Sequence, residues 1–334
     1  MNIKRFPTIY DIAEKAKVSI TTVSRVINTP LKVSQETRVK VLAIVKELNY
    51  VPHADAAARA RKDFKRIGVL VPFFTAPSFV QRIRAITESI PPSEYELIIY
   101  AVETEEQLIS YLQILPISRR IDGLIIMALP FSDEDVKRFI DAGLSTVCLE
   151  ISHPELCSVI INNYEGGRMA AGHLLQKGYK KPAFIGEGGE PAYSLHPTKQ
   201  RFKGYKELLE EAGVQINKNY ISQHPHGMAQ SIECTKKLLN QKNPPDAIFC
   251  ASDFQAVGAL QAAKELNFKI PDDVAILGFD NIDMAQYMDI STVDQGLDES
   301  GRISVELLLE QLKEPSRIAK TINLSLKLIK RSTT

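Results

Sequence analysis

Five residues near the N-terminus are of types that suit contact with nucleic-acid bases. Ile20, Thr21, Ser24, Arg25 and Asn28 recur at helical spacing and face away from Val23, Val26 and Ile27, which share the opposite side. A solvated helix face ordinarily carries Glu and Lys. This one offers hydroxyls, an amide, one aliphatic group and one guanidinium. An arginine fork can reach both acceptors of a guanine or brace a phosphate, and an aliphatic side chain can meet a thymine methyl. Other chemistries are less well supported. Ile185–Glu190 (IGEGGE) is glycine-rich after a strand, yet it lacks the Lys-Ser/Thr ending and a clean G-x-G-x-x-G, so it reads as a loop at the mouth of a cleft. His224-Pro225-His226 has no second His or Cys pair to complete a metal site. Cys148, Cys157, Cys234 and Cys250 lack metal-ligand spacing, and three of them sit in or beside apolar runs, which suits buried free thiols in a reducing cytosol rather than disulfides. No metal or cofactor is expected.

The elements that must position the base-contacting face are legible around it. Thr8 is an N-cap whose partner Asp11 completes a capping box, and Ile9, Ile12, Ala13 and Ala16 form one helical face. Lys17 and Val18 fill a tight turn, and Ser19 caps the second helix, Ser19–Ile27. The pair forms a helix-turn-helix, with the second helix placed to enter a major groove. Ser34 caps a third helix running to about Leu48, with Val41, Leu42, Val45 and Leu48 as the closing wall. Tyr50-Val51-Pro52 ends it. Charge follows the same division. Residues 1–66 carry a net charge of +8 and the remainder −7, within a chain of 334 residues and net charge +1. A basic head on an acidic body implies that the head alone meets nucleic acid. The opening MNIKRFPTIYD has no apolar segment of the signal-peptide kind, and no apolar run approaches the ~18 residues of a membrane span, so a cytoplasmic location is expected.

From Ile67 onward the period changes to strand–helix alternation: IGVLVP, ELIIYAV, DGLIIMA, STVCLEI and SVIIN, then PAFIG, DAIFCA and VAILGFD, with helical stretches between. Apolar runs without alternation indicate strands covered on both faces, hence parallel sheets flanked by helices. Two such series imply two doubly wound lobes with a cleft between them. The fold class is therefore α/β, with a small all-α helix-turn-helix headpiece.

The blocks TIYDIAEKAKVSITTVSRVIN and VSQETRVKVLAIVKELNYVP resemble the headpiece of the lactose-repressor family of bacterial transcription regulators, and the resemblance continues over essentially the whole chain. Lys17 stands where that family usually has Gly, a position of positive φ that costs a non-Gly residue energy. The resemblance implies three parts: a headpiece over 1–52, a hinge over 53–66, and a two-lobed body over 67–334 similar to the periplasmic sugar-binding proteins. Its first lobe would comprise about 67–160 and 292–320, and its second about 161–291 and 321–334. DNA contacts are then expected from Thr8, Ser19, Ile20, Thr21, Ser24, Arg25, Asn28, Ser34, Tyr50 and Arg59. Arg59 replaces the hinge leucine that the family wedges between base pairs. It suits electrostatic binding in a narrow minor groove but not intercalation.

The resemblance also implies effector contacts. Arg201 matches the family's R-x-x-G-aromatic motif in RFKGY, Asp280 the GFD motif, and Ser252-Asp253 an Asn-Asp pair with Ser in place of Asn. Glu150 takes a position often held by Asp, Phe73 or Phe74 could stack on a ligand face, and His226 and Gln295 complete the set. One arginine with carboxylates offers paired donors and acceptors, which suits a carbohydrate or other polyhydroxyl effector. The implied function is a sequence-specific DNA-binding regulator, a repressor, that binds a pseudo-palindromic operator as a homodimer without membrane association. A homodimer is expected because no apolar heptad tail follows the last core segment. Two rival readings remain. A solute-binding receptor of a transport system would fit the body but not the headpiece. An α/β hydrolase would need an acid–base or metal constellation, for which no strong motif is present.

Overall fold

A computed structural model describes residues 7–28, 32–48, 64–92, 94–189, 191, 193–224 and 227–334. In the headpiece, α1 (Ile9–Ala16) starts at Thr8, whose backbone N–H and hydroxyl both donate to Asp11 Oδ2, at 2.5 and 2.6 Å. The helix stops because Lys17 is left-handed, with φ 53°, as the family's glycine position would require. Ser19 Oγ then accepts from the Thr22 N–H at 3.0 Å and opens α2 (Ile20–Asn28). Ser34 likewise accepts from the Thr37 N–H and opens α3 (Gln35–Glu47). Ile12, Ala16, Val23, Val26 and Val41 are fully buried where the three helices meet.

The body begins with β1 (Arg66–Pro72), α4 (Pro77–Ser89), β2 (Glu96–Val102), α5 (Glu105–Ser118), β3 (Gly123–Met127), α6 (Asp133–Asp141), β4 (Ser145–Leu149) and β5 (Cys157–Ile161). The second series is α7 (Asn163–Gln176), β6 (Pro182–Glu187), α8 (Pro197–Glu211), β7 (Ile221–His224), α9 (Met228–Leu239), β8 (Ala247–Cys250), α10 (Asp253–Glu265), β9 (Ala275–Asp280), α11 (Asp283–Tyr287) and β10 (Ser291–Asp294). The chain then returns through α12 (Leu297–Lys313), β11 (Thr321–Leu324) and β12 (Lys327–Ile329). The first sheet has the order β2-β1-β3-β4-β5-β11 and is parallel throughout. The second has the order β7-β6-β8-β9-β10-β12, with only β12 antiparallel. Val69, Leu70, Leu124, Ile125, Val147, Phe184, Ile248 and Phe249 have no exposed surface, which accounts for the unbroken apolar runs.

The partition of the last segments differs from the expected one. Ser291–Asp294 belongs to the second sheet, where Val293 enters the core beside Phe279. Thr321–Leu324 belongs to the first, not the second, and Leu324 packs there with Val159 and Ile161. Between them α12 lies on the first lobe, burying Val305, Leu307 and Leu308. The lobes are thus linked after Ile161, after Asp294 and after Leu324. In both sheets the strand order reverses between the first and third strands, and ligands in such sheets sit outside the carboxyl ends at that reversal.

Candidate functional site

The carboxyl ends of the strands converge on a cleft between the lobes. A cavity of about 250 Å³ lies there, lined from the first lobe by Phe73, Phe79, Arg82 and Glu150 and from the second by Thr198, Arg201, Ser252, Phe254 and Asp280. Gln295, on the second crossover, forms part of the floor. The backbone is strained around it: Phe73 (φ 45°), Glu150 (φ 68°) and Asp280 (φ 116°), each at or just beyond a strand end, all have positive φ. Non-glycine residues hold such angles only where the surroundings enforce them, and such strain concentrates at ligand sites.

Arg201 is seated by two elements. Its helix α8 crosses α7 at very close range, because a Cβ on Gly204 would lie 1.9 Å from the Tyr164 carbonyl oxygen. The guanidinium stacks on the Phe279 ring at 3.7 Å, and its Nε donates to Asn163 Oδ1 at 2.8 Å. Its Nη1 donates to the Ala251 carbonyl at 2.6 Å and to Asp280 Oδ1 at 3.3 Å. Gln295 Nε2 donates to the same Asp280 oxygen at 2.5 Å. Burial raises the Asp280 carboxyl to about 6, against the opposing pull of Arg201 and then Arg82. Glu150 and Glu187 add to the rise.

The first lobe contributes a second ionic pair. Arg82, 1% exposed, reaches Glu150 at 2.5 Å through Nη2. The same nitrogen donates to Gln295 Oε1 at 3.1 Å, and Nε donates to Ser300 Oγ at 3.1 Å. Glu150, Arg82, Gln295, Asp280 and Arg201 therefore form one connected polar chain across the cleft floor.

Of the expected effector residues, the structure brings Phe73, Glu150, Arg201, Ser252, Asp280 and Gln295 together. Phe74 is not among the residues lining the cavity and is 39% exposed. His226 falls outside the described residues. Asp253 is a correction. It has no exposed surface and does not line the cavity. Its carboxylate accepts from the Ile282 N–H at 2.9 Å and from Thr292 Oγ1 at 2.6 Å. It braces the loop that carries Asp280, and Gly278 makes room for it, since a Cβ there would lie 2.1 Å from Asp253 Oδ1. Sequence reasoning missed Arg82, although Phe79, Arg82 and Ile86 share one face of α4, and an arginine on an apolar stripe was the available signal.

In the headpiece, Ser19, Ile20, Thr21 and Arg25 are exposed, with Ile20 at 43% despite its aliphatic side chain. Ser24 is half-buried, Thr8 and Ser34 serve as caps, and the Asn28 side chain, Tyr50 and Arg59 fall outside the described residues together with the hinge up to residue 63. Among the described residues no helix is long and apolar enough to cross a membrane, and no cluster of His, Cys, Asp and Glu could hold a metal ion.

This arrangement, a helix-turn-helix head on a two-lobed ligand-binding body, is that of a ligand-responsive transcription regulator. Comparison with known proteins agrees. Residues 8–53 match the model of bacterial regulatory proteins of the lacI family, and residues 171–334 match that of the periplasmic binding protein-like domain. The chain is 34% identical to the ribose operon repressor of Haemophilus influenzae, over 94% of this chain and 95% of that protein. It is 31% identical to the HTH-type transcriptional repressor PurR of Photobacterium profundum, over 96% and 97%. Among solved structures it is similar to the lac repressor dimer bound to operator and an anti-inducer, with TM-score 0.68 and 27% identity over 98% of this chain and 99% of that one. The chain belongs to the lacI family. It is a DNA-binding transcription regulator governed by a small-molecule effector, and not an enzyme.

Proposed function

We propose that the protein represses transcription as a homodimer on a pseudo-palindromic operator, under the control of a carbohydrate or carbohydrate derivative bound in the interlobe cleft. The observation that carries this reading is the buried couple of Arg201 and Asp280, steadied by Gln295, in a cavity also lined by Ser252 and by the aromatic residues Phe73 and Phe254. A carboxylate beside a guanidinium takes a pair of adjacent hydroxyls, one donating and one accepting, and an aromatic face covers the C–H side of a sugar ring. The ribose operon repressor among the relatives, and the lac repressor dimer on its operator, support the effector class and the dimeric assembly by analogy. Occupation of the cleft would favour one lobe angle and so change how the two heads are presented to DNA.

The test replaces Arg201 with Ala. Loss of a charge-assisted contact weakens the effector by about 2–4 kcal/mol, so the effector's influence on operator binding should vanish over the concentration range that works on the parent. An unchanged dose response in a gel shift would remove Arg201 from the site.

A further inference from the structure

Among the described residues lining the cleft, Arg82 is the cation that the family motifs did not point to. It is buried, it borders the cavity, and it lies on the apolar stripe of α4, where an aliphatic residue would pack without desolvation cost. Its Nε donates to Ser300 and its Nη2 reaches Gln295 and Glu150, which fixes the guanidinium at the edge of the cavity. Arg201 on the opposite lobe is held in a similar way, by Asn163, the Ala251 carbonyl and Asp280. Each guanidinium is joined to a carboxylate of its own lobe, Arg82 to Glu150 and Arg201 to Asp280, and Gln295 touches one member of each pair. The cleft floor therefore holds two arginine–carboxylate couples, one per lobe.

We propose that Arg82 is a specificity-determining residue of the effector site, and that the two couples together select a neutral ligand bearing hydroxyl pairs on two edges, one edge for each lobe. The proposal rests on the reading of the cleft as the effector site and narrows the ligand class. Two positive charges at the floor are matched by Glu150 and Asp280, with Glu187 adding a further carboxylate at the cavity wall. Among the described lining residues no cation is left without a carboxylate partner to hold a phosphate ester or a sugar acid, and such a ligand would meet like charge in a desolvated site. An uncharged hydroxyl pair fits each couple without adding charge, one O–H donating to the carboxylate and one oxygen accepting from the guanidinium.

The experiment uses the full chain, titrated calorimetrically with neutral aldoses (D-ribose, D-xylose, D-glucose, D-galactose), with D-ribose 5-phosphate and D-gluconate as anionic counterparts, and with hypoxanthine. The aldose that binds best is then tested as its single-deoxy analogues. The variants are Arg82→Leu, Arg82→Lys and Arg201→Ala, with melting curves recorded first. The expected result is that a neutral aldose binds more tightly than either anion. One deoxy position should cost the parent about 10- to 100-fold in affinity and cost Arg82→Leu little, because the partner of that hydroxyl is already gone. Should Arg82→Leu fail to fold because Glu150 is left unpaired, Arg82→Lys, which retains the charge and loses the fork, supplies the same comparison. A purely structural role would lower every affinity by one common factor and leave the deoxy penalties unchanged, which would overturn the proposal. Tighter binding of an anion or of hypoxanthine, or no binding of any neutral aldose, would overturn it as well. A ligand bound equally well by Arg201→Ala would instead overturn the placement of the effector site itself.

Discussion

At the scale of single residues, the cleft is governed by how buried charges are compensated. Asp280 is held up to about 6 chiefly by burial, so between the ordinary carboxylate range and that value the folded protein binds a proton that the unfolded chain does not. Stability linked to this group therefore falls as pH rises from about 4 to about 6. Asp280→Asn should flatten that part of the melting-temperature profile, and an unaltered slope would mean that Asp280 is already ionised there. His173 acts in the opposite sense. Its Nε2 bonds Thr334 Oγ1 at 2.7 Å, and burial, with Lys330 and Lys177 nearby, lowers it to about 4. The unfolded chain takes up a proton near 6.5 before the folded one does, so this contribution to stability is lost as pH falls from about 6.5 to about 4. His173→Gln should reduce the acid sensitivity of unfolding in that window. In the head, Ile20, Thr21 and Arg25 are proposed to divide the reading of bases. Arg25→Ala should cost about 1–3 kcal/mol and relax one base pair per half-site. Exchanging Ile20 with Thr21 should redirect preference in a randomised half-site library while preserving the salt slope. An identical preferred sequence would show that those two residues do not read bases.

At the scale of elements, most of what positions the site was legible in advance. The headpiece helices follow from three caps, Thr8, Ser19 and Ser34, and the long parallel strands from apolar runs that fit only sheets covered on both faces. What escaped were β10 and β11. Each has only four residues, and its lobe is decided by a distant partner strand rather than by its own pattern. Asp253 was misread for a related reason: a motif fixes where a carboxylate is attached, not whether the Ile282 N–H and Thr292 hydroxyl turn it inward. Arg82 was missed because, beside the exposed Arg84, it reads as part of a solvated patch unless the spacing of Phe79, Arg82 and Ile86 is followed onto the apolar stripe. Two elements allow direct tests. Lys17 holds a left-handed angle at φ 53° that glycine adopts freely. Lys17→Gly should therefore stabilise the headpiece by about 1 kcal/mol, and a lowered headpiece melting temperature would show that the turn is not strained. Gly204→Ala should do the reverse. The added carbon meets backbone, so α7 and α8 must separate, at a cost of about 1–3 kcal/mol with weakened effector binding.

At the scale of the whole molecule, the chain divides by charge: a head of net +8 bears the helix-turn-helix, and a body of net −7 bears the cleft. A fragment lacking residues 1–66 should retain ligand binding and lose operator binding, because its net negative charge leaves little attraction to phosphate. On the proposed function, ligand in the cleft and DNA on the heads are coupled through the lobe angle, and thermodynamic linkage makes that coupling quantitative. The most direct measurement is the affinity of the full chain for its effector, taken once free and once saturated with operator, beside the operator affinity taken with and without effector. Coupling predicts that the two ratios are equal and differ from one, by roughly 5- to 150-fold for an ordinary allosteric protein. Equal effector affinity for the free and operator-bound protein would contradict that coupling.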